Sequence, residues 1–175
     1  VGSIFYEGGY IVPPRSKMDI DKITRFIRLA NPQFINDDGA IDILALLEHG
    51  YQNFSVVPDN ELHGILGLTL PSGEILLRES VYEGACDGNG RDRFTIAHEI
   101  GHGTIHKDYI GLARPADNTT KIYCNAEWQA NEFAGRLLLP DSCLEKHKYK
   151  SFSDIAEMYG VSLECVQTRF NKYNK

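Results

Sequence analysis

His98 and His102 stand four residues apart in the run Arg93-Phe94-Thr95-Ile96-Ala97-His98-Glu99-Ile100-Gly101-His102. On a helix, that spacing projects both imidazoles from one face, where they can bind a single metal ion. Glu99 follows the first histidine directly, so its carboxylate can reach a water on the metal without occupying the metal itself. Phe94, Ile96, Ala97 and Ile100 give such a helix a buried side, and Gly101 lets another element approach closely beside the second histidine.

The His-Glu-x-x-His spacing is that of zinc hydrolases. Catalytic zinc takes three protein ligands and keeps a fourth position for water. His106 fails as the third ligand. It lies eight residues beyond His98, about 12 Å of helix rise, whereas a zinc–nitrogen bond is about 2.0–2.1 Å. A packing role, or one behind the ligands, is expected for it. The next helical stretch, Glu127-Trp128-Gln129-Ala130-Asn131-Glu132-Phe133-Ala134, offers better donors. Glu127, Asn131 and Ala134 share a face, with Glu132 about 100° away from Asn131. Glu127 is therefore the expected ligand and Glu132 the reserve, which otherwise reads as a surface carboxylate. Asn131 is placed to accept a hydrogen bond from the outer N–H of a ligating histidine and so fix its tautomer.

The elements that must position these groups follow from periodicity. Ile20, Ile23, Ile27 and Ala30 recur at helical spacing until Asn31-Pro32, with Lys17, Lys22, Arg25 and Arg28 outward. A second helix is predicted over 39–49, stopped by Gly50. Short apolar stretches at 54–57, 64–70 and 74–79 read as strands, the last two joined by a Pro71-Ser72-Gly73 hairpin. The glycine-rich run 83–92 reads as a loop. Helices are then expected from 93 to about 107 and from 123 to 139, with Pro140 as a stop. A helical pair over about 153–171 closes the chain. The fold class expected is α+β, a small antiparallel sheet packed on the His-bearing helix and a Glu-bearing helix.

Length and charge set the outer bounds. At 175 residues the chain reads as a single domain spanning 1–175. A net charge of −6 argues against gripping nucleic acid over the whole surface, because phosphate binding needs a dense basic face. The four cysteines show no C-x-x-C pair, which points to reduced thiols and a cytoplasmic location. No apolar run approaches the roughly 20 residues that span a bilayer. The opening VGSIFYEGGY lacks the basic start and apolar stretch of a signal peptide.

RFTIAHEIGH followed by the Glu127 block through Pro140 resembles the ImmA/IrrE family of bacterial and phage zinc metallopeptidases. The match covers 93–106 and 127–140, in the same order and separation. The resemblance implies a zincin-like fold, zinc on His98, His102 and Glu127, and Glu99 as catalytic base. It also implies a protein substrate, a helix-turn-helix repressor or antitoxin of a mobile element or stress response. The run 83–92 departs from the family's usual, shorter approach to the His helix.

Zinc acidifies its water and polarises the scissile carbonyl, and Glu99 carries the proton to the leaving amine. An oxyanion donor is also needed; Tyr82, His106, Tyr109 and Tyr123 are open candidates. An extended substrate could add to a sheet edge at 64–70 or 74–79. Two other readings compete. Residues 153–171, with Ala156, Gly160 and Val166, have the shape of a helix-turn-helix. Its second helix offers only Arg169 and Lys172 as cations beside Glu164, so direct DNA binding is not expected. A non-proteolytic regulator that holds metal and sequesters its partner is the other.

Overall fold

The computed structural model describes residues 8–173, so the reading of residues 1–7 lies outside the described residues. Helix α1, Lys17–Ala30, starts on a capping box in which Ser16 and Asp19 satisfy each other's backbone N–H groups. The second helix differs from expectation. Asn36 Oδ1 accepts from the backbone of Asp38 and Ala40, which holds 36–40 in a turn. Asp42 then caps a short helix, Ile43–Ala45, that widens into a π-helical segment, Leu46–Tyr51; together they form α2. It stops at Gln52 in the left-handed conformation rather than at Gly50.

The sheet has three strands among the described residues: β1 (Phe54–Val57), β2 (Gly67–Thr69) and β3 (Ile75–Arg78). Their order is β1-β3-β2, so the sheet is mixed and not the purely antiparallel one the sequence suggested. β2 and β3 form the expected hairpin, with Gly73 at φ +84° in the turn. The hairpin folds back so that β3 enters between its predecessors, and β3 therefore runs parallel to β1. Strand propensity reports where strands occur and not which neighbour each one chooses. Ile75 and Leu77 of this central strand are fully buried.

Residues 83–92 are mostly helix, which corrects the loop reading. Helix α3 covers Glu79–Cys86, and α4 covers Gly90–Ile105 with Asn89 as its N-cap. The glycines serve close approach: a Cβ on Gly84 would collide with the Asp92 carboxylate, and one on Gly90 with the backbone of Val161 and Ser162.

Helix α5, Ala126–Leu138, packs along α4, and α1 lies against α5. Pro140 does end that helix, but it also opens α6, Asp141–Lys146, which periodicity alone did not reveal. Helices α7, Phe152–Tyr159, and α8, Leu163–Tyr173, meet at Gly160, whose φ of +60° makes the turn. Ile155, Tyr159, Val166 and Phe170 share one buried cluster with Ile96, Phe133, Leu137 and Leu77. No helix among the described residues is long and apolar enough to cross a membrane.

Candidate metal centre

Three donor atoms converge where α4 and α5 meet. His98 Nε2 and His102 Nε2 are 3.0 Å apart. The Glu127 carboxylate reaches them at 3.2 Å and 3.3 Å, one oxygen to each ring. Tetrahedral coordination with bonds of 2.0–2.1 Å requires donors about 3.3–3.4 Å apart, close to these separations. Two imidazole nitrogens and a carboxylate turned toward one point suit a divalent cation.

Local sequence explains the convergence. Gly101 faces Phe133 so closely that a Cβ there would lie 2.9 Å from its ring, which brings the two helices together. Glu127 sits in the first turn of α5, where the helix dipole favours a carboxylate. Asn125 caps that turn through Trp128 N and also donates to Gly8 O. Residues 9–12 run beside both 114–116 and 124–126, which anchors the start of α5. Burial works against the Glu127 anion, yet hydrogen bonds from His102 and His98 hold its pKa well below the usual carboxylate range. Burial likewise opposes protonation of His98, but Glu127 and Glu99 keep its pKa above the ordinary histidine value.

Glu99 follows His98 in α4 and turns its side chain toward the sheet. Its carboxylate is buried against β2, where Thr69 Oγ1 lies 2.8 Å from Oε2 and 3.0 Å from the Glu99 carbonyl oxygen. Gly67 makes the fit possible, since a Cβ there would stand 2.9 Å from Glu99 Cγ. β2 is an outer strand of the sheet, whereas β3 is enclosed on both sides. An edge at 74–79 is therefore excluded, and the β2 edge remains. Asn131 Oδ1 is 3.0 Å from His98 Nδ1.

Several residues turn out differently from their sequence reading. Glu132 is buried and not a surface carboxylate; it pairs with Lys172 and, at 3.5 Å, with Arg136. Arg169 is also buried, its Nε donating to Leu139 O at 3.0 Å and its Nη2 pairing with Asp141. Both cations of the helix-turn-helix-like segment thus serve the fold. Among the oxyanion candidates, the Tyr82 hydroxyl donates to Glu48, and Tyr123 lies under Lys121. Tyr109 packs on a small cluster of Tyr10, Val12, Ile110 and Ala126. His106 is fully buried behind His102, and burial, together with the His102 ring, pushes its pKa down to about 3.

Sequence reasoning missed Tyr10, Thr69 and Gln129. The Tyr10 hydroxyl lies 3.3 Å from His102 Nδ1, and burial, with the Glu127 and Glu99 charges, holds its pKa above the ordinary phenol value. Gln129 contacts His106. Only Gln129 carried any signal, as a polar residue on the helical block that bears Glu127.

Two imidazoles and one carboxylate thus converge between two helices as a group that could hold a metal ion. The family model of the IrrE N-terminal-like peptidase domain matches residues 61–171, and the chain belongs to that family. It is also 30% identical over 125 residues to immunity region protein 2 of Bacillus phage phi105, an uncharacterized protein, across 68% of this chain and 74% of the phage protein.

Proposed function

We propose that this chain is a zincin-like, zinc-dependent endopeptidase that cuts a regulatory protein, a helix-turn-helix repressor or antitoxin. The observation that carries the reading is the approach of His98 Nε2, His102 Nε2 and the Glu127 carboxylate to within 3.0–3.3 Å of one another. Family membership supports peptidase chemistry, and the likeness to a phage immunity region protein is compatible with a regulatory setting.

His98, His102 and Glu127 hold the zinc in this reading. Zinc, when bound, polarises a peptide carbonyl and acidifies water near neutral pH. Glu99 takes the water's proton on Oε1 and delivers it to the nitrogen of the leaving amine. Thr69 restrains the other oxygen, so the carboxylate keeps one orientation through both transfers. Asn131 accepts from His98 Nδ1–H and leaves Nε2 to the metal. The substrate enters extended along the β2 edge, pairing backbone to backbone beside Glu99. Four free thiols suit a cytoplasmic setting.

The test is Glu99→Gln, assayed on a peptide library read by mass spectrometry and on purified helix-turn-helix repressors. The variant is expected to keep one zinc per chain and lose cleavage. Cleavage at the wild-type rate would remove Glu99 from its role, and no cleavage by the wild-type protein would overturn the peptidase reading.

A further inference from the structure

Behind the candidate ligands runs a chain of hydrogen bonds that ends on the backbone. Gln129 Nε2 lies 2.9 Å from Pro13 O and 2.7 Å from Tyr123 O. Carbonyl oxygens only accept, so both amide protons of Gln129 are spent on them, and its Oε1 is left as an acceptor. His106 Nε2, 3.0 Å from that oxygen, must therefore carry a proton. His106 is fully buried, and among the described residues its ring nitrogens meet only Gln129 and His102. It is held as the neutral ring, with the lone pair on Nδ1. That lone pair faces His102 Nδ1 at 2.9 Å, so the proton between the two rings belongs to His102. The Tyr10 hydroxyl, 3.3 Å from the same nitrogen, is a second and longer acceptor.

We propose that His106 and Gln129 are positioning residues that fix the proton of His102 on Nδ1 and so commit its Nε2 to the metal. The proposal deepens the zinc reading and rests on it for its functional meaning. Direction enters the chain at two backbone carbonyls and passes through one amide and one imidazole to the ligand. Asn131 does the same for His98 in a single step. His98 is thus fixed by a residue on the cleft side, and His102 by a buried relay that solvent does not reach. The arrangement also explains a buried glutamine and a buried histidine in the interface between α4 and α5.

The claim is tested by NMR on histidine-labelled protein, through the scalar coupling that an N–H···N hydrogen bond transmits. A coupling between His102 Nδ1 and His106 Nδ1, with His106 protonated on Nε2, is expected in both the metal-free and the zinc-loaded chain. His106 found with its proton on Nδ1 overturns the proposal. That readout does not depend on zinc binding, so failure of the zinc reading would show separately, as absence of stoichiometric metal. In competition with a chelator, His106→Leu should bind zinc about 10–100-fold more weakly. His106→Asn, which keeps an acceptor near the former Nδ1, should recover most of that loss. Unchanged affinity in a folded His106→Leu overturns the relay. Should that variant not fold, the coupling and the position of the His106 proton in the wild-type chain decide.

Discussion

The Thr69 hydroxyl lies 2.8 Å from Oε2 of Glu99, a contact between the edge strand β2 and the middle of α4. The edge available to an extended peptide and the group proposed as its base are therefore joined by one hydrogen bond. Thr69→Val removes the donor while keeping the shape. A hydrogen bond to a charged group is worth about 1.5–3 kcal/mol, so peptide turnover should fall on the order of ten-fold. Zinc affinity, measured by chelator competition, should stay at the wild-type value, and Thr69→Ser should retain most of the turnover.

Gly101 marks the closest approach of α4 to α5. A Cβ there meets the ring of the fully buried Phe133 at 2.9 Å, and that ring has nowhere to move. Overpacking costs about 1–3 kcal/mol, against a helix-propensity gain of about 1 kcal/mol from Gly to Ala. Gly101→Ala should lower the urea midpoint of the metal-free protein and also weaken zinc binding, because Glu127 rides on the displaced helix.

The two acidic residues of α5 should part company on substitution. Glu127→Ala should abolish stoichiometric zinc while leaving the metal-free protein folded, since its side chain is 40% exposed. Glu132→Ala should keep zinc and destabilise the fold by about 1–3 kcal/mol, because it takes the carboxylate partner from Lys172, while Arg136 keeps Asp21 and Asp141. Zinc content and denaturant unfolding of each variant check the pair.

Thiol reactivity should separate the cysteines. Cys86 is exposed, whereas Cys165 is buried, and burial pushes its pKa up to about 11. The thiolate is the reactive form, so in the native protein at pH 8 an alkylating reagent should modify Cys86 rapidly and Cys165 only on unfolding. Peptide mapping after a timed pulse reads both.

The sequence was most informative where one helix carried the signal. The four-residue spacing of His98 and His102, and the shared face of Glu127 and Asn131, are local facts that a helix turns directly into geometry. What escaped notice was non-local. Thr69 and Tyr10 reach the site from 30 and 92 residues away, and nothing in their neighbours announces it. The parallel pairing of β1 with β3 depends on where the hairpin folds back. The glycines at 84 and 90 looked like loop residues because composition does not distinguish turning from close packing. Glu132 read as a surface carboxylate because an i,i+4 partner such as Arg136 is common on exposed helix faces, and Lys172 reaches it only when α8 docks.

X-ray absorption at the zinc edge of the stoichiometrically loaded chain tests the shared metal site most directly. Two imidazole nitrogens and light oxygen donors at about 2.0–2.1 Å are predicted, with the imidazole scattering reduced in His98→Ala and in His102→Ala. A sulfur shell near 2.3 Å, or a spectrum unchanged by both substitutions, would place the metal elsewhere and contradict the account.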